Sequence, residues 1–512
     1  MSRAGGALRR AQRLRPPRLA EAPIVLLRGQ SRMGLAAVLG AALGLGLLGG
    51  FFFAASPLLV AGGLLGALAV AAVVADPRLG LWGAVLVIAL LPFGVLPLPL
   101  GAVQPTFLEV ALGAALVLWF LRVVLAPGGR LHVTPPGALV LVFLAITAIA
   151  FVNGTAYGFS AALARQYLKS VVSVMVFFTA LNCLRDVTDS RRAVVLLIVS
   201  GVLAAALGIA IYLLPRDTAL AVLNGLGRLG YPTGPDLLRF HVESERLRAV
   251  GTSIDPNAFG ALLMVVLVVL VGQISAAAPV LGRHWLVAAL LVAGAGLLLS
   301  LSRSSWVGCA GGVGFLALVR YRRFWPVFII GVALALVGYA LGADRYVERL
   351  PLIGQYFGHL LVGLRVEDQA TAMRLGEYKD ALTLISRYPW LGVGYGSAPD
   401  IDLYVGVSSL YLLLAENAGL IGLGTYLLAV GAVFWYALPV AAAGRDERLV
   451  GIASSCLAAL FAALVAGLFD HPFINIRFPH LVALFWLLAG VAVHSARLAG
   501  SDVEAGGGEE AG

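Results

Sequence analysis

The chain has 512 residues, 60% of them apolar and only 12% charged, with a formal charge of +10. A soluble domain averages ~45–50% apolar and ~25% charged residues, so this composition excludes a soluble fold and makes lipid the solvent for most of the chain. The positive charge does not indicate nucleic acid, because the arginines cluster beside apolar runs, which is the positive-inside signal of membrane proteins.

Arg3, Arg9, Arg10, Arg13, Arg15 and Arg18 crowd the N-terminal segment, residues 1–32. An Arg-rich targeting peptide is the competing reading, but no short apolar core with a small-residue cleavage site follows, so the segment reads as a basic cytoplasmic tail. Hydropathy then gives about 14 runs able to cross a ~30 Å hydrocarbon core. They cover residues 33–50, 52–75, 79–99, 106–125, 137–152, 167–184, 193–214, 258–274, 285–301, 304–319, 324–341, 408–437, 449–468 and 481–495. Glycine is dense in the first two, which form either two spans or one re-entrant hairpin. The expected fold class is an all-α polytopic integral membrane protein of about 12–14 transmembrane helices.

Alternating these spans from a cytoplasmic N-terminus places Arg78, Arg122, Arg130, Arg185, Arg191, Arg192, Arg283, Arg320, Arg322, Arg323, Arg445 and Arg448 all on the cytoplasmic side, with both termini inside. Residues 33–245 then form an N-terminal transmembrane bundle, 246–495 a second membrane region, and 496–512 a polar, glycine-rich tail expected to be disordered. Cys183, Cys309 and Cys456 are too few and too scattered for a metal site or a disulfide framework, and no metal is expected.

Three segments fall on the external face: 215–256, 342–407 and 469–480. The second contains a helical pattern from about 366 to 386, with Met373, Tyr378, Ala381, Leu382 and Ile385 near one face and Arg374, Glu377 and Asp380 elsewhere. Pro389 ends it, and the glycine-rich run Gly392–Gly396 permits a tight turn that returns the chain to the membrane. Arginines on this face call for a reason. Arg248 lies in RLRAVGTSIDPNAFG, Arg303 in LSLSRSSW and Arg374 on the loop helix. A guanidinium is a planar fork of donors that suits phosphate oxygens. Each also has a plainer reading: Arg303 can snorkel to the interface and Arg374 can pair with Glu377 or Tyr378. Asp470 and His471 sit at the end of a span, where an imidazole can act as a base or simply anchor a loop. Asp255-Pro256-Asn257 reads as a helix start, a place that also attracts anions.

At these residues the chain resembles the O-antigen ligase and polymerase family of bacterial envelope glycan assembly. The resemblance covers about 246–490. It lies in RLRAVGTSIDPNAFG, in the Ser-Arg of LSLSRSSW, in the R…E…GVGYG pattern from Arg374 to Gly396, and in YLLLAENAGLIGLGTYLL from Tyr411, with Glu416 and Gly419 in their usual setting. It implies a GT-C-type membrane glycosyltransferase, with a large periplasmic loop at 342–407, that needs no cofactor or metal. The implied donor is a polyprenyl-diphosphate-linked glycan, the acceptor a glycan or lipid, the surroundings membrane lipid of the bacterial inner membrane, and no nucleic acid takes part. Arg248 and Arg374 occupy the motif positions for the diphosphate. Arg303, Glu377, Tyr411 and Asn257 are the further substrate-binding candidates.

One departure matters. Ligases of the family begin the helix after the large loop with a His-Asn pair, and counting back from Gly419 those positions hold Ser408 and Ser409. A serine hydroxyl is no general base near neutral pH. Asp470, His471 or Glu377 then serves instead, or diphosphate departure dominates, or activity has been lost. The departure leans the reading towards a polysaccharide polymerase, with a ligase as the alternative. A transporter of an anionic solute is the reading of another class, disfavoured by the long asymmetric external loop.

Overall fold

The computed structural model describes residues 71–96, 104–125, 132–240, 247–322, 369–396 and 406–507, with residue 68 and a few positions between 325 and 337. The chain divides into residues 1–72 and 73–512, and everything below concerns the second unit. The basic tail, most of the first two expected spans, the span at 324–341 and most of the 342–407 loop lie outside the described residues.

Within the described residues every expected span is met by a helix: α1 (Arg78–Leu90), α2 (Phe107–Leu125), α3 (Pro135–Gly154), α4 (Ala161–Cys183), α5 (Val187–Leu213), α7 (Pro256–Ser275), α8 (Arg283–Ser300), α9 (Arg303–Val319), α11 (Leu410–Ala443), α12 (Glu447–Ala466) and α13 (Pro479–Gly507). Eight of these are long and apolar enough to cross a membrane, and three more are shorter apolar helices. The protein is a polytopic helical membrane protein. The starts are written locally. Thr134 accepts the Gly137 N–H with prolines in the first turn, Asp255 accepts from Asn257 and Ala258, and Asp446 accepts from Arg448 and Leu449.

α7, α12 and α13 are buried along most of their length and form the centre of the bundle. Small residues let them and α9 approach closely. A Cβ on Gly312 would lie 2.9 Å from the Ala458 carbonyl oxygen and from the Ala462 side chain, so the Gly308-x-x-x-Gly312 face seats directly on α12. The buried amide of Gln273 is fully used: it donates to the Gly451 carbonyl and Ser455 and accepts from the Val280 N–H. An ion pair that the sequence pattern did not reveal joins Lys169 of α4 to Glu109 of α2 at 3.3 Å.

The two ends of the bundle differ. One carries Arg78, bonded to Asp76 and to the buried Asp189 at 2.6 and 2.8 Å, and Arg320, bonded to Glu447 at 3.0 Å. The other end carries extra structure. Residues 215–256, expected as loop, contain α6 (Arg216–Gly225), short 3₁₀ turns and a two-stranded hairpin of β1 (Arg239–Phe240) and β2 (Leu247–Arg248). The hairpin is a small departure from the all-α expectation. Ala219, Leu223, Tyr231, Leu237, Val250 and Ile254 form a second, separate apolar cluster there, which explains why so polar a segment folds.

The same end holds α10 (Gln369–Arg387). Its buried face differs from the expected one: Ala381 and Leu384 are buried, whereas Met373 and Leu382 are exposed. The inward stripe follows Glu377, Ala381, Leu384 and Tyr388, the i, i+4, i+7 and i+11 positions of a helix. At the C-terminus α13 runs to Gly507, into the segment read as a disordered tail.

The span expected as continuous over 408–437 is broken. α11 loses helical geometry at Gly419, with φ 69° and ψ −176°. The break frees the carbonyls of Glu416 and Asn417 and the N–H groups of Leu420 and Ile421. Residues 389–394 take all four. Val393 and Gly394 donate to Glu416 and Asn417 at 2.8 and 2.9 Å, and Leu420 and Ile421 donate to Pro389 and Trp390 at 2.7 and 3.4 Å. Such an exchange is what makes an interrupted helix tolerable inside a membrane protein. The glycine-rich run is therefore more than a turn: it is the other half of a broken helix.

Candidate functional site

Arg248 is held at the end of α8. Its Nε donates to the Ser300 carbonyl at 2.9 Å, its Nη2 to Asn257 Oδ1 at 2.6 Å and to the Leu301 carbonyl at 3.4 Å, while the next residue, Ala249, donates its N–H to Leu299. Leu301 adopts a left-handed conformation, φ 51°, which turns the chain at once into α9. The guanidinium thus caps carbonyls that the helix leaves unpaired, at the negative end of its dipole. This structural role fixes the group in place and leaves Nη1 without a hydrogen-bond partner among the described residues.

The charges that act on Arg248 are those of Asp255, Asp470, Arg303 and Arg374. The charges of Arg303, at the start of α9, and of Arg374, on α10, thus reach Arg248 on β2. Burial, with Arg303 and Arg374 adding to it and the two carboxylates opposing, pulls Arg248 down to about 10, so it remains a cation at neutral pH. Asp255 is pushed above the ordinary carboxylate range by burial and by Asp470, against the pull of Arg248 and of the N–H groups it caps. Among the described residues the charges acting on Arg248 are thus two further guanidiniums and two carboxylates, in a partly desolvated setting.

Asp470 joins this cluster to a cavity. It is buried, and one oxygen lies 3.4 Å from the Ser304 hydroxyl, within a chain of Ser302, Ser304 and Ser305 hydroxyls. Its other oxygen accepts the His471 N–H at 2.8 Å and sits 3.6 Å from His471 Nδ1, an ion-pair separation rather than a hydrogen bond. On the far side of the ring, Asn475 Nδ2 lies 3.4 Å from His471 Nε2, and Asn475 Oδ1 accepts the Arg477 N–H at 2.9 Å. With that oxygen committed as an acceptor, the amide presents its donor to the histidine. Nε2 is then the unprotonated nitrogen and Nδ1 carries the proton towards Asp470.

His471 lines a cavity of about 620 Å³, together with Gln166, Tyr395, Asn417, Asn475 and Arg477. Its lining includes Asn417, two residues before the break in α11, and Gly396 at the end of the glycine-rich run. This cavity, which no sequence motif announced, is the main feature that reading residues in order missed. The signal available was the Asn475-x-Arg477 pair beside His471.

The remaining candidates are placed as follows. Asn257 is the direct partner of Arg248. Glu377 Oε2 accepts the Ser408 N–H at 2.9 Å, and Tyr378 donates to the Ser408 and Leu468 carbonyls, both at 3.3 Å. Arg374 thus does not rely on Glu377, whose carboxylate instead fixes the segment entering α11. Burial raises the Tyr378 hydroxyl, and the charges of Arg374, Glu377 and Asp470 all reach it. Tyr411 is not brought to the cluster: its hydroxyl donates to the Leu464 carbonyl at 2.9 Å, between α11 and α12. Among the described residues no group of histidine, cysteine and acidic side chains is arranged to hold a metal ion.

Residues 288–427 match the family model described as O-Antigen ligase. The matched stretch runs from within α8 to just beyond the break in α11, and so contains Arg303, Arg374, Glu377, Ser408 and Gly419, while Arg248, Asn257, Asp470 and His471 come to the same site from outside it. No curated protein matches the chain. The match supports the resemblance carried by the motifs within 288–427, and the chain is a polytopic membrane protein similar to the O-antigen ligase family over that stretch.

Proposed function

We propose that this protein is a glycosyltransferase that takes a glycan from a polyprenyl-diphosphate carrier at the external face of the bacterial inner membrane and extends a surface polysaccharide with it. The observation that carries the reading is the convergence of Arg248, Arg303 and Arg374 beside Asp470 and His471, at the end of the bundle opposite the Arg78 and Arg320 clusters. The arginines hold the donor diphosphate at the membrane surface. As the bond between the anomeric carbon and the diphosphate oxygen breaks, the charge that collects on the leaving group meets cations already in place.

An acceptor hydroxyl in the adjoining cavity attacks the anomeric carbon, and its proton passes to His471 Nε2. Asp470 steadies the imidazolium that forms, and polyprenyl diphosphate departs. A new glycosidic bond replaces the sugar–phosphate bond, so no cofactor or metal is required by the balance. Ser408 stands where ligases of the family carry a histidine, and its backbone is engaged by Glu377 and Tyr378. In this reading His471 supplies the base from another segment. That substitution favours a polymerase over a ligase, whose chemistry would be the same with a different acceptor.

The test replaces Arg248 and Arg374 by alanine, singly and together, and follows the length of the cell's surface polysaccharide. Shortened or absent polymer from variants that reach the membrane at normal levels is expected. Polymer of normal length from the double variant overturns the proposal.

A further inference from the structure

We propose that the cavity beside His471 is a carbohydrate subsite for the acceptor chain, in which the side-chain amides of Asn417 and Gln166 bind sugar hydroxyls and Tyr395 offers a ring face. The inference deepens the transferase reading and rests on it. At about 620 Å³ the cavity falls within the ~300–1,000 Å³ range of sites for small molecules.

Asn417 carries most of the argument. It is only 9% exposed, it lines the cavity, and its side-chain amide has no hydrogen-bond partner among the described residues. The amide atoms of this largely buried residue open onto the cavity, where they can bond to a polar group that enters it. Its position is fixed, because its own carbonyl receives the Gly394 N–H across the break in α11. Gln166 approaches from α4, and its amide is likewise unpaired among the described residues. An amide both donates and accepts, which matches the paired hydroxyls of a sugar better than it matches an anion or an apolar chain.

The aromatic wall is held rigid from behind. Phe151 and Tyr167 stack at 4.3 Å with 11° between their planes, and Tyr395 packs on Tyr167 at 5.2 Å. The electron-rich face of such a ring attracts the polarised C–H groups of a sugar. Among the described residues that line the cavity the charged side chain is that of Arg477, beside His471, and none is a carboxylate.

The experiment uses the full-length protein in lipid nanodiscs and, as probe, size-fractionated oligosaccharides cut from the producing cell's own envelope polysaccharide, free of diphosphate. Saturation-transfer NMR and equilibrium dialysis report binding. Binding by the wild type, weakened roughly tenfold by Asn417→Ala or Gln166→Ala, is expected, since each removes hydrogen bonds to the bound sugar. Arg248→Ala should bind the same oligosaccharide as the wild type, because that arginine serves the diphosphate. Gln166 lies on a different helix from the break, so it tests the idea even where Asn417→Ala misfolds. Failure of the wild-type protein to bind, or equal binding by a well-folded Gln166→Ala variant, overturns the subsite. If polymer survives the loss of Arg248 and Arg374 while oligosaccharide binding still depends on Gln166, the transfer reading fails and the subsite stands.

Discussion

Asn475 presents its amide Nδ2 to His471 Nε2 at 3.4 Å, while its own oxygen is held by the Arg477 N–H. The pairing selects the tautomer in which Nε2 is unprotonated, its lone pair accepting from the Asn475 amide until a substrate hydroxyl replaces that donor, while Nδ1 faces Asp470. It gives a lone imidazole the setting of a base before any substrate arrives.

Asn475→Asp reverses the polarity of that contact. A carboxylate accepts, so Nε2 must carry the proton, and base catalysis is blocked. Transfer should fall by roughly 10²-fold, the lower end of what a general base contributes, and His471→Ala should fall as far. Initial rates of glycan transfer in membranes report the effect. Full activity in His471→Ala would remove the histidine from the mechanism.

Arg374→Gln separates stability from function. The residue adds a repulsive cation to Arg248 without being needed to hold Glu377, which bonds Ser408 instead. Thermal stability in detergent should be unchanged or slightly higher. Transfer should drop by about 10²-fold or more, as when one preorganised donor to a developing anion is lost. A parallel loss of both quantities would mark Arg374 as structural.

Glu377→Ala and Glu377→Gln distinguish a hydrogen bond from a charge. The glutamine keeps an acceptor for the Ser408 N–H and the alanine does not. Hydrogen exchange at Ser408 should therefore quicken in Glu377→Ala and stay near the wild-type rate in Glu377→Gln. Equal acceleration in both would show that the carboxylate charge, rather than the bond, secures the start of α11.

Gly419→Ala should damage the fold itself. The position has φ 69°, and an added Cβ would overlap the Trp390 carbonyl, so the exchange between residues 389–394 and 416–421 cannot close. The conformation alone costs about 1–3 kcal/mol in a residue other than glycine, and the steric overlap adds to it. The expected readout is a lower melting temperature and a smaller yield of monodisperse protein. A stable, fully active Gly419→Ala variant would mean that the break is dispensable.

Much of this was legible in the residues. Runs of apolar residues marked each described membrane helix, because transfer into lipid depends on side chains summed over a local window. The motifs around Arg248, Arg303 and Arg374 marked the polar end. Tyr411 was misplaced for the converse reason: its motif is distinctive, but the helix face it occupies turns to Leu464, and a motif carries no direction.

The sequence by itself determined a lipid-embedded helical chain, with three arginines in segments where the positive-inside pattern does not call for them. Only the tertiary structure decided that the charges of those arginines reach one another, that the helix after Ser408 is interrupted, and that Asp470, His471 and Asn475 lie in sequence at the edge of a cavity. The physical reason is that the break leaves backbone groups whose partners lie in another segment. Leu-, Ala- and Gly-rich residues around Gly419 have the hydropathy of an unbroken span, and nothing local records that residues 389–394 will supply the missing hydrogen bonds.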